Sequence, residues 1–447
     1  MQFHQLSLKE IAAGVREKRW SAEAVVRAHA ERIEALEPDV RAWVQLDLER
    51  AARTAEMLGP AADSGSHALA GAPIAIKDII DVAGLTTRCG SPIHDDAAPA
   101  PESAACVEAL ERAGAVIFGK TVTTEFAYYT PGKTRNPWNF AHTPGGSSMG
   151  SAAAVACSMV AGALGTQTNG SVIRPAAFCG VVGYKPSFGL VSNDGTLDPW
   201  PALDHTGVFA RSVADTALLA SVIQKAGVVT AGVVVPSHPL RFALVRSPVW
   251  DLAEPAQKGL LETSAAKLTQ AGATIEALEL PRAFDDAHRV HGVIMAYEGS
   301  RYFRELQQRF RSLMSARLNA LLDQGAAISH PQYEDALHAA ETLRAAYSDA
   351  TAGFDAILTP PAAGEAPATL EETGSPAFCT IWTLLGVPAI TIPVALGPRG
   401  LPLGLQVCGA FMEDDRALGA AAWCEAHLPF HSGNHRTVSG PGRRAGP

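Results

Sequence analysis

Twice along the chain an amphipathic helical stretch ends at a glycine and passes directly into a short apolar strand. Glu102 to Ala113 precede Gly114 and the strand AVIFGK, and Ala256 to Ala271 precede Gly272 and TIEALEL. The apolar run GAPIAIKDII lies ahead of the first unit. Strand, helix, glycine and strand in repeated order imply a largely parallel sheet with helical cover. The expected class is α/β, a mixed and mostly parallel central sheet with helices on both faces.

How many domains share that sheet is bounded by size. The chain has 447 residues, 47% of them hydrophobic and 18% charged, enough for one large core or for two to three average domains. No Gly/Ser-rich or Pro-rich linker divides it, and no period of 20 to 50 residues repeats. One large domain over 65–430 is therefore expected. Residues 1–64 read as packing helices, Leu6 to Val15 and Ala22 to Leu36, with Ser21 placed as an N-cap. The stretch GVVTAGVVVPSHPLRFALV reads as a pause, the charged helical region 296–350 as an insertion or lid lining a pocket, and the polar, glycine-rich tail 431–447 as disordered.

Charge and cysteine usage narrow the function. A net charge of -9, with no basic cluster beyond Arg443 and Arg444, argues against a nucleic-acid partner. Seven scattered cysteines without a C-x-x-C pair read as reduced, buried thiols. The charged N-terminus and the lack of an 18-residue apolar run speak against a signal peptide and against membrane insertion. The expectation is a cytoplasmic protein, for which a homodimer is one available assembly.

Three short segments carry chemistry. Lys77 lies in the apolar strand PIAIKDII, where burying an ammonium costs several kcal/mol unless it is paired or neutralised. Pairing with Asp78 is the structural reading; a lysine shifted by desolvation so that it serves as a base is the functional one. Thr168, Asn169, Gly170 and Ser171 in GTQTNGSVIRPAAFCG form a polar turn that is either a tight connection or a concavity of N–H groups suited to an anion. The third segment, HTPGGSSMGSAAAVA, sets Ser147 and Ser148 between two glycines and a small-residue helix. Together the three would supply a base, a relay hydroxyl and a nucleophile with an oxyanion pocket.

These segments, with LDHTGVFARSVAD, FDAILTP and GVPAITIPVALGPRGLPLGLQVCG, resemble the amidase signature family over about residues 65 to 430. The resemblance implies the amidase signature fold and a Ser-Ser-Lys triad, with Lys77 as the lysine, Ser147 as the bridging serine held by a cis peptide bond, and Ser171 as the nucleophile. It further implies oxyanion donors from the backbone of Thr168, Asn169, Gly170 and Ser171, a supporting role for Ser148, and for Arg174 either a substrate carboxylate contact or a structural role. Pocket residues are expected from Tyr128, Tyr129, Thr130 and the region 296–382, while His142 and His205 are read as structural. The implied reaction is hydrolysis of a linear amide to a carboxylate plus ammonia or amine through an acyl-enzyme, without metal or organic cofactor.

Three positions depart from the family pattern. Asn169 stands where most members have glycine, Gln167 where many have aspartate, and Met149 where glycine or serine is usual. They leave several functions open. The main one is an amidase for a small amide, favoured as a carboxylated one. Its alternatives are the A subunit of a tRNA-dependent glutamyl/aspartyl amidotransferase, a carboxylated-urea hydrolase of allophanate or carboxybiuret type, and a catalytically silent scaffold.

Overall fold

Local signals in the sequence place the first helices. Ser7 and Glu10 form a capping box ahead of α1 (Leu8–Arg16), and the Ser21 hydroxyl accepts the Ala24 N–H to start α2 (Ala22–Val40). The computed structural model describes residues 2–61, 67–225 and 227–430. The expected disordered tail at 431–447 and the boundary near residue 64 therefore lie outside the described residues.

The described residues build one sheet of eleven strands. They are β1 (Trp43–Leu46), β2 (Pro73–Lys77), β3 (Val116–Thr121), β4 (Gly162–Gln167), β5 (Val182–Lys185), β6 (His205–Ala210), β7 (Arg241–Val245), β8 (Thr274–Leu278), β9 (Ala356–Thr359), β10 (Ala389–Leu396) and β11 (Pro402–Cys408). Their spatial order is β1-β3-β2-β4-β6-β5-β10-β11-β9-β7-β8. Around them lie α3 (Leu48–Ala61), α4 (Ala105–Arg112), α5 (Met149–Ala156), α6 (Ile173–Cys179), α7 (Val213–Ile223) and α8 (Pro255–Gln270). The remaining helices are α9 (Ala287–Tyr302), α10 (Arg304–Phe310), α11 (Ala316–Ala326), α12 (His330–Thr351), α13 (Ala377–Leu384) and α14 (Asp414–His427).

The sheet is mixed as expected, but it is not mostly parallel. Four pairings are parallel, β2 with β3 and β4, and β7 with β8 and β9, while the other six are antiparallel. The two strand–helix–glycine–strand units read from sequence form the parallel ends. In the middle, β6 runs antiparallel between β4 and β5, and a short turn folds β10 back on β11. The segment before residue 65 is also more than helices, since β1 joins the sheet edge beside β3.

The strands that carry the site, β2 and β4, are buried along their whole length, which suits near-continuous apolar sequence. Lys77 at the end of β2 is the exception in such a run. The region expected as an insertion forms most of a helical layer in which α9 packs on α11, α12 and α13.

Candidate active site

The end of β2, the loop entering α5, and the turn between β4 and α6 converge on one buried point. Lys77 Nζ donates to Ser147 Oγ at 2.7 Å and to Thr166 Oγ1 at 2.7 Å. Asp78 does not pair with Lys77; its carboxylate meets Lys120 Nζ at 3.1 Å, with both groups fully buried. Burial lowers Lys77 to about 7, against a weaker opposing pull from Asp204. The lysine is thus placed among hydroxyls, where either protonation state has partners.

The serine loop is shaped by its glycines. Gly145 adopts φ +82°, and a Cβ there would come within 2.7 Å of the Pro175 backbone. The following Gly146–Ser147 peptide bond is cis. Ser148 lies behind the site, its Oγ donating to the Thr166 carbonyl and accepting the Thr166 N–H, each at 3.2 Å. Ser148 therefore fixes Thr166, which in turn holds Lys77. Met149 opens α5 and is buried, its sulfur accepting the Gly132 N–H.

Ser147, Thr168, Asn169, Gly170, Ser171 and Arg174 line one small chamber, covered by Tyr128 and Tyr129. Among the described residues, the N–H groups of Asn169, Gly170 and Ser171 donate to no protein acceptor, and the Ser171 hydroxyl makes no hydrogen bond. Arg174 is 2% exposed. One of its nitrogens, Nη2, donates to the Gly146 carbonyl at 2.7 Å and to Thr373 Oγ1 at 3.1 Å, whereas Nε and Nη1 have no partner among the described residues. No carboxylate of the described residues pairs with it.

The chamber leaves only about 10 Å³, the room of roughly one water. It adjoins a vestibule of about 290 Å³ that shares Tyr128, Tyr129, Asn169, Met295 and Pro376. Substrate entry thus requires side chains at this neck to give way. Tyr129 and two preceding residues, Phe126 and Ala127, have φ of +30°, +45° and +61°, a run of uncommon backbone conformations beside the site. A larger groove of about 740 Å³ along α2 contains none of the chemistry-bearing residues.

Several expected residues stand elsewhere. Thr130 lines neither the chamber nor the vestibule. His142 and His205, read from sequence as structural, contact backbone carbonyls of Ala366 and Leu203 through Nδ1 and line neither cavity, in keeping with that reading. From residues 296–350 only Leu321 and Gln324 reach the vestibule; Thr373, Pro376 and Thr380 come from the segment around α13.

Sequence reading passes over Thr166, Asp204, His291, Thr380 and Thr383. Strand alternation could have marked Thr166, two residues before Thr168, as an inward hydroxyl. Thr168 Oγ1 donates to Asp204, which lies in the LDHTG stretch. Gln167, the departure from aspartate, is fully buried: its Oε1 accepts Val172 N at 2.8 Å and Ile173 N at 3.0 Å, and its Nε2 donates to Thr383 Oγ1 at 3.0 Å. It caps α6 and ties the turn to α13. Gln167→Leu should lower stability by about 2–4 kcal/mol, because the capped N–H groups lose their acceptor. Urea unfolding reads this directly, and an unchanged midpoint and slope would remove the clamp assignment.

The amidase family profile matches residues 24–418. The chain belongs to the amidase family. The chain is 32% identical to the A subunit of the glutamyl-tRNA(Gln) amidotransferase of Carboxydothermus hydrogenoformans, over 96% of this chain and 99% of that one. The chain also superposes on a protein from a vestigial complex that bears on the origins of an s-triazine catabolic enzyme, with TM-score 0.85 and 27% identity over 94% and 98% of the two chains. The peptide amidase of Stenotrophomonas maltophilia gives TM-score 0.82 and 28% identity over 95% and 97%. No helix of the described residues is long and apolar enough to cross a membrane.

Proposed function

We propose that the protein cleaves the C–N bond of a small carboxylated amide through an acyl-enzyme on Ser171. The observation that carries this reading is the chamber itself, which sets a free serine hydroxyl, three unpaired N–H groups and a buried guanidinium with two unpartnered nitrogens around one point.

Ser171 Oγ attacks the amide carbonyl, and its proton passes to Ser147 Oγ while Ser147 gives its own to neutral Lys77. The Nζ–H that remains can donate to Thr166. The developing oxyanion is met by the unpaired N–H groups of the turn. The resulting ammonium of Lys77 returns the proton through Ser147 to the leaving nitrogen, whose bond to carbon breaks. Water then attacks the acyl-enzyme by the same relay in reverse, releasing the acid and restoring Ser171. A substrate carboxylate would neutralise Arg174, with the leaving group towards the vestibule once the side chains at the neck have given way.

An ammonia-release screen over short dicarboxylic half-amides, carboxylated ureas, peptide amides and aryl amides tests the reading, with Ser171→Ala as control. Ammonia from neutral amides alone would exclude the carboxylated class. The base assignment carries a pH dependence. Only neutral Lys77 accepts the proton, so kcat/KM should rise through about pH 7 and level above it. A flat profile from pH 5.5 to 9 would remove Lys77 from that role.

A second reading is supported by similarity to amidotransferase A subunits along nearly the whole chain. In it the same amide cleavage feeds ammonia to a partner subunit, in place of releasing it. Against it, the free-standing reading rests on the sequence departures at Gln167 and Asn169 and on the acidic charge balance, whereas the comparisons lean to the amidotransferase subunit. Co-purification of a second subunit together with tRNA-dependent amidation would establish the amidotransferase reading instead.

A further inference from the structure

The turn between β4 and α6 has its carbonyl groups tied outward. The Thr168 carbonyl accepts from His291 Nε2 at 2.9 Å, and the Asn169 carbonyl accepts from Thr383 Oγ1 at 2.6 Å. A peptide unit is planar and trans, so its C=O and the next N–H point in opposite directions. Anchoring these two carbonyls therefore aims the N–H groups of Asn169 and Gly170 the other way, and neither finds an acceptor in the described protein.

His291 is a residue of α9, outside the three sequence segments that carry the chemistry. Its ring is 2% exposed, and a carbonyl can only accept, so the hydrogen in this contact belongs to Nε2. Burial also holds the ring neutral, pushing it down to about 4, which leaves a single N–H to be committed to Thr168. One turn earlier on the same helix face, His288 Nε2 contacts the Ala377 carbonyl at 2.9 Å, at the start of α13. The two histidines join α9 to both sides of the pocket.

We propose that His291 is a positioning residue, whose Nε2–H fixes the Thr168–Asn169 peptide and thereby orients the oxyanion-binding N–H groups. Helix α9 then belongs to the catalytic apparatus as well as to the pocket wall. The inference rests on the reading of residues 168–171 as the oxyanion turn.

The test uses a fluorophosphonate probe, whose phosphoryl oxygen requires the same N–H groups and whose reaction does not depend on the natural amide. Mass spectrometry of the wild-type protein first locates the adduct. No adduct, or one elsewhere than Ser171, would overturn the acyl-enzyme reading itself. With Ser171 labelled, His291→Phe, which keeps a ring but no donor, should label on the order of 10–10² times more slowly. His291→Gln, which restores an N–H donor, should regain most of the rate. For any amide found by the screen, kcat should fall in His291→Phe with KM little changed. Labelling of His291→Phe at the wild-type rate, or equal losses in Phe and Gln variants of unchanged Tm, would overturn the positioning role. Should H291F not fold, His291→Asn, whose amide is too short to reach, takes its place and is expected to be slow; a wild-type rate there would overturn the proposal equally.

Discussion

Ser147→Ala should lower kcat by about 10²–10⁴-fold while the protein remains folded and Ser171 remains in place. The expectation follows from the position of one hydroxyl. Ser147 Oγ is hydrogen-bonded to Lys77 and shares the chamber with Ser171, whereas Lys77 has no hydrogen bond to Ser171. In the proposed relay, removing the hydroxyl leaves Lys77 and Ser171 without a connecting proton path. The change deletes one oxygen from a buried loop, and Thr166 still accepts from Lys77, so the loss should appear in kcat and in pre-steady-state acylation more than in Tm. Ser171→Ala should instead abolish the covalent adduct altogether. Near-normal turnover in Ser147→Ala would sink the relay and require Lys77 to reach Ser171 by another route.

Arg174→Met is expected to shift selectivity by about 2–5 kcal/mol against carboxylated substrates. The measurement is a ratio: kcat/KM for a short dicarboxylic half-amide, divided by that for its methyl ester at the free acid. The ratio is needed because Arg174 also holds the carbonyl of Gly146, one residue from Ser147, the proposed relay. Disturbing that contact should slow both substrates alike and cancel. The carboxylate contact affects only one of them, since a buried guanidinium with unpartnered nitrogens gains most from an anion that completes its set. Equal losses for acid and ester would assign Arg174 to loop support alone.

The parts legible in sequence were those whose chemistry is local. A lysine inside an apolar strand and two glycine-bracketed serine segments mark themselves by contrast with their neighbours, and all three meet at one point. The parallel ends of the sheet were readable for the same reason, because each unit is contiguous in sequence. The antiparallel centre was not, since the insertion of β6 between β4 and β5 leaves no local trace. The partners of the turn were hidden likewise: His291 and Thr383 belong to helices without a motif, and their contacts with residues 168 and 169 are decided by tertiary packing. Gln167 reads as a departure in sequence, and only its three buried hydrogen bonds explain why an amide serves there.

Thr380 Oγ1 donates to Asn169 Oδ1 at 2.7 Å, beside the Thr383 contact with the Asn169 carbonyl, and the pair has a consequence in time. Its two contacts span 211 and 214 positions, so the segment bearing Ser171 leaves the ribosome long before α13 exists. At ordinary elongation rates the interval is roughly 10–40 s. Throughout it the nascent chain carries its serine without the anchor that orients the surrounding amides. On the proposed reading, the turn around Ser171 acquires its full set of supporting contacts only after α13 has been made and packed against it.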